Sequence, residues 1–332
     1  MARETAARRA PGGDRSGGRD PVRRRRCRGA HRPGCAPDLD APARRGGAAP
    51  PRRGLNAVEI GPEAQEALIA ALRRVAAAEI LPRFRRLGAG DLDTKSGPDD
   101  LVTVADRAAE AAIAEAVRAI LPGAEVVGEE AVAADPALLD RIAAAEVCAI
   151  VDPVDGTANF AHGLATFGVI LAVAVRGRTV LGVLYDPIGD DWIVAGRGQG
   201  AWFGRPGAPP RRLTGPTPAQ PEAARVYLPL SLYRAEDRPA VARTMAGLGH
   251  VAALRCSCHE YRQLALGHAH ALVTPMLKPW DHAAGVLVVE ECGGAACLAD
   301  GGGYGPTRHA GHMAVAGDAA TARALLARLP AR

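Results

Sequence analysis

The pattern of apolar and polar positions becomes periodic near residue 62. Apolar residues recur every three or four positions over residues 62–88 and again over residues 100–120, and Pro122-Gly123 follows the second run. This spacing places the apolar side chains on one face of a helix. Two amphipathic helices are therefore predicted at the start of the folded part of the chain.

Short apolar runs that are typical of strands follow these helices. They lie at residues 125–128, 147–151, 167–176, 179–185, 192–195 and 201–203. Gly177-Arg178 separates two of them and predicts a hairpin.

Beyond residue 210, predicted strands and helices alternate. The strands lie at residues 225–228, 251–255 and 271–274, the helices at residues 235–248, 259–266 and 283–292, and a closing strand and helix between residues 313 and 329. The pattern predicts an α/β (α+β) fold in which helices are layered on mixed sheets.

Three segments of the chain differ in composition. Residues 1–55 are rich in Arg, Pro, Gly and Ala and show no periodicity, so we expect a disordered tail there. Residues 56–210 are predicted to form an N-terminal α+β half that carries the acidic motifs. A proline-rich connection leads to a C-terminal α/β half at residues 211–332, which would complete the active site.

The net charge of +5 is unevenly distributed along the 332 residues. Residues 1–55 hold 15 Arg against 5 acidic residues, and the remainder holds 26 basic against 31 acidic residues. This argues against nucleic acid as the main partner, because a basic binding face would have to come from the tail.

The apolar and cysteine content indicate where the protein works. The longest apolar run, residues 167–175, is far shorter than the ~20 residues of a spanning helix, so no membrane association is expected. Seven cysteines stand at irregular positions, and no apolar signal segment follows the N-terminal arginines. Free thiols and a cytoplasmic location are therefore predicted.

The segment 147–160, VCAIVDPVDGTANF, carries the clearest chemical signal. An apolar strand ends at Asp152, a proline fixes a turn, Asp155 follows, and Gly156-Thr157 opens a helix. The two carboxylates and the Val154 carbonyl can bind a hard cation, while N–H groups at the helix start can face an anion. An Asx-type turn would explain one aspartate, but the whole run favours a metal site beside a phosphate.

Two further segments add carboxylates. Glu129-Glu130 ends a predicted strand, and adjacent like charges are costly unless a cation or water compensates them. Asp281 is predicted as the N-cap of an apolar helix, a position that by itself requires no metal. Three distant segments thus supply four or five carboxylates, enough for two divalent ions ~3.5–4 Å apart, as in phosphate ester hydrolysis.

Lysine is nearly absent from the chain. Of the 41 basic residues only Lys95 and Lys278 are lysines, and both lie beside these motifs. A compact ammonium group is not interchangeable with a planar guanidinium. We therefore favour a functional role for Lys95, whereas chance is favoured for Lys278.

These motifs resemble those of the inositol monophosphatase family, within the lithium-sensitive, magnesium-dependent sugar-phosphatase superfamily. Gly128-Glu129-Glu130, residues 152–160 and residues 280–285 match the three family signatures in order, and residues 94–106 resemble the mobile metal-site loop of the family. The resemblance covers about residues 60–330. It implies a layered αβαβα fold and a Mg²⁺-dependent phosphomonoesterase that hydrolyses a small polyol or sugar phosphate. It also implies inhibition by Li⁺ and a homodimer.

The resemblance further implies a set of metal ligands. Glu129, Asp152 and the Val154 carbonyl would hold one Mg²⁺, and Asp152, Asp155 and Asp281 would hold a second, with a third ion left open. Asp155 and Asp281 would also lie against the substrate phosphate.

Residues for the reaction itself are implied in the same way. A water activated by the metal would attack in line, oriented by Glu129 and by a Thr157 hydroxyl that is paired with Asp106. The backbone of Gly156 and Thr157 would bind the phosphate. Lys95 would act from the metal-site loop.

The substrate end departs from the family pattern. Thr274 stands where inositol-specific members carry a glutamate that holds ring hydroxyls, so Thr274 is expected at the substrate without that charge. Histidinol phosphate, fructose 1,6-bisphosphate and a nucleotide 3′-phosphate are alternative substrates for the same ions. RNA or a transcription complex, bound by the basic tail, is the alternative of another class.

Histidines near the motifs are not expected to be metal ligands. His282 is interpreted as a helix-start residue because Mg²⁺ prefers oxygen. His259 and Glu260 are interpreted as surface groups at the start of a helix, at least as readily as substrate contacts.

Overall fold

The computed structural model describes residues 60–88, 90–94 and 101–330. The chain divides after Gly54, and all described residues belong to the unit Leu55–Arg332. The tail predicted at residues 1–55 and the predicted site residue Lys95 lie outside the described residues. The division into halves at residue 210 stays a prediction.

Helices occur along the whole described part of the chain. They are α1 (Pro62–Val75), α2 (Val104–Ile120), α3 (Glu129–Ala134), α4 (Arg141–Ala144), α5 (Thr157–Ala161), α6 (Arg238–Ala246), α7 (Ser257–Ala265), α8 (Pro279–Glu291) and α9 (Ala319–Leu326). A π-helical turn, Ala76–Ile80, continues α1, and 3₁₀ turns lie at Pro136–Asp140 and Leu230–Leu232.

The strands form three sheets. They are β1 (Leu92–Thr94), β2 (Leu101–Thr103), β3 (Glu125–Gly128), β4 (Val147–Asp155), β5 (Gly168–Val175), β6 (Arg178–Asp186), β7 (Asp191–Gly196), β8 (Gly200–Gly204), β9 (Arg211–Arg212), β10 (Arg225–Tyr227), β11 (His250–Ala252), β12 (Ala271–Met276), β13 (Ala295–Leu298) and β14 (Ala310–Ala316).

Both large sheets are mixed. The seven-stranded sheet has the order β3-β4-β5-β6-β7-β8-β9, with β3 and β4 parallel and the remaining neighbours antiparallel. The five-stranded sheet has the order β11-β10-β12-β14-β13, with β10 parallel to both of its neighbours. The pair β1-β2 stands apart.

Alternation of side chains across β4 explains how the layers form. Val151 packs with α1 and α2 on one face of the larger sheet, whereas Ile150 packs with α7 and α8 on the other. The far faces of α7 and α8 meet the smaller sheet, whose outer face is covered by α6 and α9 around Val226 and Val273. The order helix, sheet, helix, sheet, helix confirms the predicted αβαβα architecture.

The second helix begins later than the sequence pattern predicts. Residues 101–103 pair with β1 as β2, and α2 starts at Val104. Thr103 is its N-cap: the hydroxyl accepts hydrogen bonds from the amides of Ala105 and Asp106, and the Asp106 carboxylate accepts one from the Thr103 amide. This reciprocal capping box fixes the boundary.

The helix that carries Asp281 begins earlier than predicted, so the N-cap assignment of Asp281 was wrong. Lys278 has extended backbone angles and is the N-cap, and Pro279 occupies the first turn, where its missing N–H costs nothing. Asp281 is therefore inside the first turn. Most of α8 is buried because it lies between the two sheets.

Close packing of α8 on the larger sheet depends on a glycine. A Cβ at Gly182 of β6 would lie 2.8 Å from the carbonyl oxygen of Ala284 and 2.9 Å from its Cα. The backbones of the helix and the strand thus approach too closely for any larger residue.

Within the described part of the chain, no helix combines the length and the hydrophobicity needed to cross a membrane.

Candidate active site

Three carboxylates from two distant segments meet where β4 ends and α8 begins. Oxygens of Asp152, Asp155 and Asp281 lie within 4.8 Å of one another. Asp152 and Asp155 are almost fully buried, at 2% and 7% exposure. Unpaired acids rarely occupy such positions without a compensating charge.

The end of β4 presents both of its aspartates to the same place. The pairing of β4 with β5 is regular up to Asp152 and shifts before Asp155. Pro153 lies in this bulge, where a missing N–H breaks no ladder bond. The Val154 amide donates to Asp152 Oδ1 over 3.2 Å, which holds the turn.

Gly156 closes the turn in a conformation that only glycine adopts readily. Its φ is +86°. A Cβ here would lie 2.9 Å from the Thr166 carbonyl oxygen, 3.2 Å from the Cys256 Cβ and 3.3 Å from the Arg255 carbonyl oxygen. The loop before α7 therefore packs directly on the turn that delivers the aspartates.

The start of α7 orients Asp155. The Cys258 amide donates to Asp155 Oδ2 over 2.5 Å, and the Cys256 thiol donates to the same oxygen over 3.1 Å. Burial raises the pKa of the Cys256 thiol well above its usual range, with the Asp155 charge adding to the effect. A protonated thiol acts here as a donor to the carboxylate.

Glu129 reaches the same cavity from the larger sheet. It is the first residue of α3, directly after β3, and its Oε1 lies 3.5 Å from Lys278 Nζ. Lys278 also stands over the ring of Trp280 at 5.6 Å. The lysine that the sequence assigned to chance is therefore a neighbour of the acidic cluster.

A buried carboxylate on α2 fixes the start of α3. Glu110 accepts hydrogen bonds from the amides of Glu130, over 2.8 Å, and Ala131, over 2.9 Å. A Cβ at Gly128 would lie 2.2 Å from the Glu110 carboxylate, so the glycine makes room for it. Amides in the first turn of α3 have no acceptor within their own helix, and here they bind the Glu110 carboxylate of α2. This contact fixes the start of α3 and therefore the position of Glu129.

Asp106 connects the start of α2 to Thr157. Its Oδ2 accepts from the Thr103 amide over 2.8 Å and from the Thr103 hydroxyl over 2.5 Å. Its Oδ1 lies 3.0 Å from Thr157 Oγ1, which also lies 3.0 Å from the Val154 carbonyl oxygen. One threonine hydroxyl thus touches both Asp106 and the backbone of the turn that carries Asp152 and Asp155.

Burial raises the pKa values of the clustered acids, and for Asp152 and Asp281 neighbouring acids add to the effect. Burial, followed by the charges of Glu129, Asp155 and Asp281, raises the pKa of Asp152 well above its usual range. Burial raises the pKa of Asp281 to about 8, against the opposing effect of Lys278. The pKa values of Asp155 and Asp106 are raised as well, chiefly by burial. These carboxyl groups are therefore harder to ionise than solvated aspartates in the absence of a cation.

This donor set fits hard divalent cations. All three clustered groups are carboxylates, and the Glu129 carboxylate lines the same cavity. Mg²⁺ prefers carboxylate oxygens and retains several waters, and its positive charge would favour the ionised form of these buried carboxyl groups.

The cavity that contains the cluster has a volume of about 780 Å³ and is lined by both polar and apolar groups. Gly156, Thr157 and Thr274 all line it. Thr274 lies at a β-bulge in β12, where its hydroxyl donates to the Met276 carbonyl over 3.1 Å and accepts from the Met276 amide over 3.2 Å. Its hydroxyl therefore already has partners beside the cavity.

The interpretation of Glu260 as a surface group was wrong. Glu260 is buried and accepts from the Leu254 amide over 2.7 Å, which ties it to the loop before α7. Burial raises its pKa to about 8. His259 is half-buried, with Nε2 lying 3.0 Å from the Phe167 carbonyl oxygen.

His282 is at the helix start, as predicted, and its ring nitrogens are engaged by the protein. Nδ1 lies 3.0 Å from the Tyr261 hydroxyl and Nε2 lies 2.9 Å from the Met276 carbonyl oxygen. Burial lowers its pKa to about 4, so the ring is neutral. A neutral ring with these partners holds α8 against β12.

Two groups that shape the site were not predicted from the sequence. The first is Glu110, which lies four positions after Asp106 on a helix face that is otherwise apolar. An acidic residue on the buried face of a helix indicates that it has a polar partner in the interior, and this pattern could have identified it. The second is the Cys258 amide. It could not be recognised from the sequence, because it binds Asp155 through the backbone and any residue at this position has such an amide.

The family assignment agrees with this geometry. Residues 63–330 match the model of the inositol monophosphatase family, which covers most of the chain. The chain belongs to that family, and the resemblance predicted from its motifs is confirmed.

Individual relatives show what the chain is similar to. An inositol-1-monophosphatase of Bacillus subtilis is 28% identical over 211 residues, covering 63% of this chain and 77% of the relative. A Nus factor SuhB of Haemophilus influenzae is 34% identical over 218 residues, covering 63% and 76%. A crystal structure of an IMPase/NADP phosphatase complexed with Mg²⁺ and phosphate superposes with a TM-score of 0.65 at 20% identity, covering 81% of this chain and 96% of the other.

Proposed function

We propose that this chain is a Mg²⁺-dependent phosphomonoesterase that hydrolyses a small polyol or sugar phosphate. The observation that carries the proposal is the convergence of Asp152, Asp155 and Asp281 in one cavity that Glu129 and Thr157 also line. Family membership and the neighbour that holds Mg²⁺ and phosphate support it.

Four carboxylates and one carbonyl would hold the cations: Glu129, Asp152 and the Val154 carbonyl on one side, and Asp152, Asp155 and Asp281 on the other. Bound Mg²⁺ would lower the pKa of a water, neutralise the phosphate and stabilise the leaving alkoxide. The number of ions, two or three, belongs to the proposal.

Thr157 and Glu129 would orient the attacking water. When the Thr157 hydroxyl donates to Asp106, over 3.0 Å, its oxygen is left to accept a hydrogen bond from that water. The Glu129 carboxylate can accept the other proton. The backbone of Gly156 and Thr157 would face the phosphate, held in place by the close packing around Gly156.

Phosphate release from a panel of esters, with Mg²⁺ and with EDTA, tests the proposal. We expect release only with Mg²⁺, and loss of at least ~10³-fold in the Asp152→Ala and Asp281→Ala proteins, because each change removes a shared cation ligand. Unchanged turnover of several esters by Asp152→Ala protein would refute the mechanism.

The choice of substrate is a separate part of the proposal. Histidinol phosphate, fructose 1,6-bisphosphate and nucleotide 3′-phosphates all present a phosphate ester to the same cluster, so the panel includes them beside inositol 1-phosphate. Thr274, with its hydroxyl engaged by Met276, offers no charge to a ring of hydroxyls.

Binding of RNA or of a transcription complex is the second candidate function. Relatives named Nus factor SuhB and the Arg-rich composition of residues 1–55 favour it. RNA affinity is measured at several salt concentrations for the full chain and for a chain that starts at Leu55. Steep salt dependence that disappears with the tail would support binding by the tail, and equal affinity of the two chains would exclude it.

The family resemblance also leads us to propose a cytoplasmic homodimer that is inhibited by Li⁺. The described cysteines are all free thiols, which suits a reducing compartment. Light scattering of the purified protein tests the dimer, and Li⁺ titration of phosphate release at several Mg²⁺ concentrations tests the inhibition.

A further inference from the structure

One wall of the catalytic cavity carries a fixed positive charge that the proposed mechanism does not use. The wall consists of residues 229–238, which run from the end of β10 to the start of α6, and Arg238 lines the cavity there. Its Nε donates to the Tyr233 carbonyl over 2.9 Å, and its Nη2 donates to the Ser231 carbonyl over 2.8 Å. Arg238 is otherwise exposed, and these two bonds to one loop orient its guanidinium.

The charge of Arg238 is not neutralised by the protein. Both of its hydrogen-bond acceptors are neutral carbonyls, and no described carboxylate pairs with it. Its Nη1 donates to no described residue. The neighbouring Arg234 differs, because it forms an ion pair with Glu236 on the same loop.

The acidic cluster does not cancel this charge once cations are bound. Glu129, Asp152, Asp155 and Asp281 carry four negative charges, which two divalent ions would balance. The positive wall would then attract an anion, and an oriented guanidinium binds phosphate or carboxylate oxygens through charge-assisted hydrogen bonds.

The size of the cavity allows a second anionic group. About 780 Å³ lies within the range of cavities that enclose drug-sized ligands, and one small polyol phosphate would leave part of it empty.

We propose that Arg238 forms a second anion subsite in the catalytic cavity, so that the preferred substrate is a bis-anionic ester: a phosphate ester with a further phosphate or a carboxylate. The inference rests on the proposed phosphatase function. Among the alternative substrates it favours fructose 1,6-bisphosphate and disfavours histidinol phosphate, whose amine is cationic.

Arg238 could instead only fix the loop through its two carbonyl contacts. The experiment therefore separates charge from loop structure. It compares wild-type protein with R238Q, R238K and R234Q. R234Q is the matched control. It removes a guanidinium from the same loop, but that guanidinium is already paired with Glu236.

Two matched pairs of esters distinguish the second anion. Fructose 1,6-bisphosphate is compared with fructose 6-phosphate, and 6-phosphogluconate is compared with sorbitol 6-phosphate. The readout is the ratio of kcat/KM within each pair, measured as phosphate release with Mg²⁺, and thermal unfolding of each variant is recorded beside it.

We expect the wild-type kcat/KM to be about tenfold or more higher for the bis-anionic ester than for its partner in at least one pair. This is the effect expected from one charge-assisted hydrogen bond. R238Q lowers the ratio within that pair to near one, R238K retains part of it, and R234Q leaves it unchanged. The pair that responds identifies phosphate or carboxylate as the second anion.

Wild-type ratios near one in both pairs would overturn the inference and leave the phosphatase function standing. Equal losses in R238Q and R234Q, or an R238K protein that folds normally and behaves like R238Q, would overturn it as well. Release of phosphate from other esters of the panel but from none of these four would overturn the inference alone, whereas no release from any ester would refute the proposed function and the inference together.

Discussion

At the scale of single residues, the acidic cluster makes the stability of the metal-free protein depend on pH. The pKa of Asp281 is about 8 in the folded protein, and burial is the main cause. In an unfolded chain an aspartate has a pKa of about 3.9. Between these two values the folded state binds more protons than the unfolded state, so stability from this group falls as pH rises.

We therefore predict that the free energy of unfolding in EDTA decreases from about pH 5 to about pH 8. The D281N protein should lose less stability over this interval, because its amide does not ionise. Urea unfolding at several pH values measures the slope. D140N, a change at an exposed aspartate, should keep the wild-type slope. A wild-type protein that gains stability over this interval would contradict the assignment.

The residues that supply the acidic cluster could be identified from the sequence, but their surroundings could not. Asp152 and Asp155 were recognisable because a strand, a proline and a glycine fix their local geometry. The burial of Glu260 depends on how the loop before α7 packs, to which distant segments contribute. Lys278 meets Glu129 across 149 positions of sequence, which local pattern does not encode.

At the scale of elements, the position of Glu129 depends on a carboxylate outside its own helix. Glu110 of α2 accepts from two amides at the start of α3. We predict that E110Q costs about 1–3 kcal/mol of stability, because an amide group replaces one acceptor with a donor that faces an N–H. It should also raise the Mg²⁺ concentration needed for half-maximal activity by ~10-fold, as changes behind metal ligands do.

Phosphate release at graded Mg²⁺ concentrations and urea unfolding measure these two effects. E115Q is the matched control, since Glu115 is exposed on the same helix. If E110Q and E115Q require the same Mg²⁺ concentration, Glu110 has no part in placing Glu129.

Element positions were predicted well where the pattern is long and less well where tertiary contacts set the boundary. The hairpin β5-β6 matches its apolar runs closely. The start of α2 was misplaced because residues 101–103 gain more by pairing with β1 than by continuing a helix. The short α3 and the edge strand β13 were missed, since elements of this length have too few residues for a period to show.

At the scale of the whole molecule, the close contact of α8 with the larger sheet limits what β6 can contain. We predict that G182A destabilises the protein by about 1–3 kcal/mol, because its Cβ meets the Ala284 backbone and the helix must shift. Thermal or urea unfolding measures the loss. G303A is the control, since a Cβ there meets nothing within 4 Å. Equal unfolding midpoints for G182A and G303A would show that the contact between α8 and the larger sheet accommodates the added methyl group without loss of stability.

The order of the five layers followed from the family motifs, and the fold class followed from the alternation of predicted strands and helices. Neither the family motifs nor the alternation of strands and helices identifies which face of a strand packs against which helix. Ile150 and Val151 are equally apolar in sequence, yet they belong to different cores on the two faces of β4. Only the three-dimensional packing distinguishes them.

The location of α8 between the two sheets has a consequence for exchange with solvent. Its amide hydrogens are covered on both sides, so deuterium should enter the middle of this helix only when the entire unit unfolds. Asp281 lies in the first turn of this helix, next to the protected segment, whereas Glu129 begins the short and partly exposed α3. The acidic residues are thus carried by elements of unequal exposure, and we expect amides at the start of α3 to exchange faster than those in the middle of α8.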